Sequence, residues 1–246
     1  MKRLLFASAC LLALSAASPA FASAITIDGS FVHLDGFGGT ADGYEFNGAA
    51  NLPFHWSQFS VEGDVGYAGL GFGHVLDVGG SFVWTEPEWR AAVSGIYNRA
   101  GNSGLQESTY GAGGEWYPIE WLTVSVQGGG VTGDLTGGYV GGTIKGYVMP
   151  DLSVQGFVTY TSLNFIKETD YGAKGEWLVW EDCPLAVHAE YERAEISSLG
   201  SIGANVFMVG LTLHLDSGSA PLTLVQHDRT GTLDTIGPIH PLIFGF

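Results

Sequence analysis

Proline cannot donate to a β-ladder, so it is driven to turns, bulges and sheet edges. This chain carries Pro53, Pro87, Pro118, Pro150, Pro184 and Pro221 at steps of 34, 31, 32, 34 and 37 residues. Between these prolines the apolar residues recur at period two, the pattern of a strand with unlike faces. Phe59, Val61, Val65 and Tyr67 alternate with Ser60, Glu62, Asp64 and Gly66. Leu122, Val124 and Val126 alternate with Thr123, Ser125 and Gln127. Leu185, Val187, Ala189 and Tyr191 alternate with Ala186, His188, Glu190 and Glu192. One proline turn per hairpin predicts twelve strands, beginning near residues 26, 42, 57, 74, 89, 107, 120, 138, 151, 169, 184 and 204. A tilted strand crossing a bilayer needs about 9–11 residues. Soluble strands average about 5–6. The hairpins here suit the longer kind.

The first 24 residues read as a removable export segment. Lys2 and Arg3 give a positive start, Leu4 to Ala17 an apolar stretch, and Ala20-Phe21-Ala22 or Ala22-Ser23-Ala24 a small-residue cleavage site. Cys10 falls inside that segment, which leaves Cys183 alone and no internal disulfide. The formal charge is −16, and −18 once Lys2 and Arg3 are removed. Phosphate contacts need clustered Lys and Arg, so nucleic acid is not an expected partner.

The aromatic residues are sorted along the strands. Trp56, Trp84, Trp89, Trp116, Trp121, Trp177 and Trp180 all lie near a turn proline. Tyr44, Tyr67, Tyr97, Tyr110, Tyr139, Tyr160, Tyr171 and Tyr191 mark the opposite strand ends; Tyr117 and Tyr147 are exceptions. Amphipathic rings settle at the two water–lipid interfaces, so two rims of this kind point to a membrane barrel. The proline-side connections are short and the others longer, which assigns the prolines to the periplasmic side.

The export segment, the alternation and the aromatic rims together resemble a Gram-negative outer-membrane β-barrel of the porin-like type, over residues 25–216. The resemblance implies an all-β, antiparallel up-and-down transmembrane barrel in the outer membrane. Its partners would be outer-membrane lipid, lipopolysaccharide, the barrel-assembly machinery and small solutes. Residues 217–246 are expected to be a periplasmic tail. A final hairpin is the alternative, giving fourteen strands, because Leu242, Phe244 and Phe246 alternate like the last strand of such barrels. Pro238 and Pro241 oppose it.

The candidate lumen lining is acidic: Glu45, Glu62, Asp64, Asp77, Glu115, Glu176 and Glu190, with His188 and Asn47. Arg90, Lys145 and Lys174 are its basic members. Carboxylate-rich walls favour cations, so passive diffusion of neutral or cationic solutes is the expected function. Inward Gly66, Gly79, Gly111 and Gly113 are expected to leave space for a path. A non-conducting structural or surface-binding barrel is the alternative. A lipid hydrolase is a further one; its Ser153 and His188 share a face but stand a strand apart, beyond the reach of a nucleophile and its base. No cofactor is implied, and the seven histidines lack metal-ligand spacing. Asp35, Asp42, Glu107, Glu168, Asp170 and Glu195 are read as loop charges, with divalent bridging to lipopolysaccharide as a second possibility.

Overall fold

A computed structural model describes residues 24–36, 39–54, 58–71, 73–101, 103–164, 166–180, 184–197, 202–216 and 222–233. Residues 1–23, Trp56, Cys183 and the terminal Phe246 lie outside them; Ala24, counted at the end of the export segment, opens the first strand. Twelve antiparallel strands follow in chain order: β1 (Ala24–Gly36), β2 (Gly39–Pro53), β3 (Phe59–Leu70), β4 (Gly73–Glu86), β5 (Trp89–Ala100), β6 (Gln106–Ile119), β7 (Leu122–Gly133), β8 (Gly137–Met149), β9 (Leu152–Leu163), β10 (Ile166–Trp180), β11 (Leu185–Ile196) and β12 (Ile202–Asp216). Each pairs with its sequence neighbours. β1 also pairs with β12, from Ala24 against Asp216 to Gly36 against Ala204, and closes the barrel. Closure removes the sheet edges, which would otherwise expose unpaired N–H and C=O groups. It also fixes the strand count at twelve. After β12 the chain forms a short helix, α1 (Leu224–Thr230), where the fourteen-strand alternative would continue the sheet.

The prolines behave as their chemistry requires. Pro53 ends β2 and Pro87 sits in the β4–β5 turn. Pro118 lies within β6 where the register against β7 shifts between Trp116 and Ile119, a bulge that absorbs the missing donor. Similar shifts fall between Tyr147 and Met149 and between Leu178 and Trp180. All three sit at the proline-turn end.

The barrel is inverted relative to a water-soluble one. On β3, Phe59 and Val61 are exposed while Ser60 and Glu62 are buried. On β12, Phe207, Val209 and Leu211 face outward while Val206 and Thr212 are buried. Rows of exposed Val, Leu and Phe continue around the wall. Water would disfavour such a surface; a hydrocarbon surrounding suits it. Of the Trp rim, Trp84, Trp116, Trp121, Trp177 and Trp180 are exposed and Trp89 is partly so. Of the Tyr rim, Tyr97, Tyr110, Tyr160, Tyr171 and Tyr191 are exposed and Tyr67 is partly so. Tyr139 departs from its expected place and is buried inside. On β8 the outward parity belongs to Val140 and Ile144, one residue out of step with Tyr139.

Inside, the end away from the prolines carries apolar clusters beside buried carboxylates. Val32, Leu34, Ala194, Ala204 and Val206 form one cluster, flanked by Leu70 and Met208. Val131, Tyr139 and Leu163 form another. Glu107, Glu168 and Asp170, expected in loops, are buried strand residues on the interior face. The strands extend further than the loop composition suggests, which carries these carboxylates inside.

Glycine placement is testable at two positions. A Cβ on Gly129 would run into the backbone carbonyl of Tyr110 and the Cα of Gly111; one on Gly63 meets nothing within 4 Å. Backbone cannot yield as a flexible side chain does. Gly129→Val should therefore cost about 1–3 kcal/mol in equilibrium unfolding from lipid. Gly63→Val should leave the unfolding midpoint nearly unchanged.

Candidate functional site: the lumen and its closed mouth

The barrel encloses a cavity of ≈ 420 Å³. Glu45, Asp64, Asp77 and Glu190 line it, and so do Glu62, Glu176 and His188, with Lys174 as the basic member. Asp28 and Glu192 add two carboxylates. Among the described residues the wall thus brings eight carboxylates to the cavity (Asp28, Glu45, Glu62, Asp64, Asp77, Glu176, Glu190, Glu192) against one lysine. Gln127, Gln155, Thr143 and Thr159 supply neutral polar groups.

The inward glycines do not simply leave space. A Cβ on Gly66 would strike the Asp77 carboxylate, and one on Gly79 the Asp64 carboxylate. Gly66 faces Asp77 and Asp64 faces Gly79 across β3 and β4. Each glycine is the room into which the opposite aspartate leans. Gly111 does the same for the Tyr139 hydroxyl.

Arg90, Glu115 and Lys145 are not free members of the lining. They form a buried layer at the proline-turn mouth. Arg90 Nε and Nη2 donate to Glu115 Oε2 at 3.1 and 2.7 Å, and the Tyr117 hydroxyl donates to the same oxygen at 2.7 Å. Lys145 Nζ lies 3.9 Å from Glu176 Oε2, and His214 Nε2 lies 3.2 Å from Glu176 Oε1. Burial makes these pairs consequential, because a stranded charge has no water to fall back on.

The tail packs into this layer. Thr223 caps α1 reciprocally with Gln226: the Thr223 N–H donates to Gln226 Oε1 at 2.9 Å and the Gln226 N–H to Thr223 Oγ1 at 3.4 Å. Leu224 is fully buried against Leu178 and Ala186. Lys145 Nζ pairs with Asp228 Oδ2 at 2.6 Å, and the Tyr147 hydroxyl donates to that oxygen at 2.8 Å. Arg90 Nη2 and Nη1 donate to the carbonyls of Asp228 and Gly231 at 2.6 and 2.9 Å. Arg229 Nη2 donates to the carbonyls of Ile119 and Glu120, both at 2.9 Å, with its guanidinium 4.8 Å from the Tyr117 ring centroid. His227 stacks on His214 and contacts the Asp216 carboxylate. The Leu233 N–H donates to Glu62 Oε2 at 3.0 Å. His227, Asp228, Thr232 and Leu233 thereby join the cavity lining from the proline-turn end.

A third cluster joins Ser30, His188, Asp28 and Thr212. Ser30 Oγ lies 2.9 Å from His188 Nε2, His188 Nδ1 lies 3.4 Å from Asp28 Oδ2, and Thr212 Oγ1 donates to Asp28 Oδ2 at 2.8 Å. The serine near His188 is therefore Ser30 and not Ser153. Acyl transfer also needs donors aimed at a developing oxyanion. The β1 backbone around Ser30 is committed to ladders with β2 and β12 on both sides. The cluster reads as a mutually satisfied polar network in the wall.

Solved structures share this architecture. The KdgM porin superposes with a TM-score of 0.57 at 14% identity, covering 76% of this chain and 98% of that one. The fold is that of a porin-like outer-membrane β-barrel. The NanC porin matches with a TM-score of 0.56 at 10% identity, over 77% of this chain and 100% of its own. An outer membrane channel from Pseudomonas putida F1 matches with a TM-score of 0.57 at 8% identity, over 79% and 96%. No protein-family model matches the chain, and no curated protein matches it by sequence. One of the KdgM structures is a complex with disordered oligogalacturonate.

Of the mouth-layer residues, Arg90, Glu115, Lys145 and Glu176 are lumen candidates from the sequence; Asp228, the tail partner of Arg90 and Lys145, is not. Arg90→Met would leave Glu115 buried without its guanidinium. It should destabilise the barrel by about 3–5 kcal/mol in equilibrium unfolding from lipid. A shift within experimental error would show that Glu115 is hydrated.

Proposed function

We propose that this chain is an outer-membrane channel that passes small neutral or cationic solutes by passive diffusion. The observation that carries this reading is the cavity wall, where eight carboxylates face one lysine. Fixed negative charge in a low-dielectric passage concentrates cations and repels anions. The porin fold supports the same reading, and the Arg90–Glu115–Tyr117 and Ser30–His188–Asp28–Thr212 clusters read as satisfied polar networks, so no catalytic role is assigned. Trp84, Trp89, Trp116, Trp121, Trp177 and Trp180 would rest at one lipid interface. The tyrosines Tyr67, Tyr97, Tyr110, Tyr160, Tyr171 and Tyr191 would rest at the other. The lipid-facing wall would meet outer-membrane lipid and lipopolysaccharide, after export by residues 1–24 and insertion by the assembly machinery.

A second reading, a non-conducting barrel, is favoured by one observation: the tail occupies the proline-turn mouth. Planar-bilayer recording separates the two. The channel reading expects discrete conductance steps whose reversal potential in a salt gradient has the cationic sign. Asp64→Asn, Asp77→Asn and Glu190→Gln together should move that potential toward zero with little loss of barrel stability. A reversal potential of anionic sign, or one indifferent to the three substitutions, contradicts the assigned selectivity.

A further inference from the structure

We infer that residues 222–233 are a displaceable plug: the chain carries its own closure for the proline-turn mouth, built to leave without damage to the barrel. This rests on the channel reading above.

Three observations support it. First, the segment lies outside the sheet. The twelve strands close on one another through β1 and β12, so the wall is complete without the tail. Second, the contacts are mostly polar and the apolar anchor is small. Asp228 reaches Lys145 and Tyr147, and Arg229 reaches the carbonyls of Ile119 and Glu120. Leu224 fills one pocket against Leu178 and Ala186. Third, Arg90, Lys145 and His214, three wall groups that the tail touches, each have a second partner in the wall. Arg90 keeps Glu115, and Lys145 and His214 both keep Glu176. Departure of the tail strands no charge at these positions, whereas a permanent structural element commonly supplies a buried ion with the partner it cannot do without. The tail's own Asp228 and Arg229 would be solvated on release.

Two states follow, docked and released, separated by the tail contacts alone. In the docked state His227, Asp228, Thr232 and Leu233 bound the cavity. In the released state that end opens to water, with Arg90 and Lys145 held back against the wall. A small energetic gap between such states lets modest changes shift the population strongly.

The test uses the full-length chain in planar bilayers. The release variant is Asp228→Asn with Arg229→Ala, which replaces no strand residue. The locking variant is Leu224→Cys with Ala186→Cys in a Cys183→Ser background. Tail position is read independently, by the rate at which a single cysteine at position 228 (Asp228→Cys, Cys183→Ser) reacts with a water-soluble maleimide, with and without Arg229→Ala. The expected result is a severalfold rise in time-averaged conductance for the release variant, and a loss of conductance for the oxidised locking variant that reductant reverses. Equal conductance in wild-type, released and locked chains, with the cysteine probe confirming release, would overturn the plug while leaving the channel reading intact. Silence in every chain, with release confirmed, would instead remove the channel reading, and the plug with it.

Discussion

Closure of β1 on β12 is the constraint on which the rest of the structure depends. A bilayer core offers no water to unpaired backbone groups, so a sheet there must have no edges. The β1–β12 register runs through thirteen residue pairs, as does β1–β2, so the first strand is paired along its full length on both sides. Everything else is arranged around that ring. Strand alternation sends Val, Leu and Phe outward, and the same alternation sends carboxylates, His188 and Lys174 inward. Buried charge then has to be managed by pairing and by whatever water the cavity holds.

The interior manages it in layers. Beyond the acidic cavity, toward the ends of the long connections, Val32, Leu34 and Val206 form an apolar cluster. Around the cavity, carboxylates lean over glycines on neighbouring strands, as Asp77 does over Gly66. At the proline-turn mouth, Arg90 and Lys145 each balance a wall carboxylate against groups of the tail. The tail thus joins the electrostatics of the mouth to access from that side. Whether solute passes is a question about a twelve-residue segment as much as about the wall.

Much of this was legible from residues alone. The twelve strand starts fall within three residues of their expected positions, because proline spacing and period-two alternation are both local signals. The lumen acids followed from the same parity. Tyr139 did not: its position along β8 matches the tyrosine rim, but its parity points inward. Glu107, Glu168 and Asp170 look like loop charges until the strands are seen to extend past them. The tail was the largest gap. Seven helical residues are too few for a periodic signal, and their anchoring depends on Arg90, Lys145 and Tyr147, which lie far away in sequence. One local clue was present: Thr223 with Gln226 three positions on is a capping-box pattern. The Ser30–His188 contact was illegible for a different reason, since it joins β1 to β11 across β12 in a closed barrel.

The central claim is that one face of every strand meets hydrocarbon and the other lines an enclosed lumen. Nitroxide scanning along β11 and β12 in bilayers, in a Cys183→Ser background, tests it most directly. Each position is measured for collisions with lipid-dissolved oxygen and with a water-soluble nickel chelate. The account expects Val187, Ala189, Tyr191, Phe207, Val209 and Leu211 to favour oxygen strongly, with the intervening positions dropping at period two. Nickel collisions as frequent at Val187 and Val209 as at their inward neighbours would contradict it.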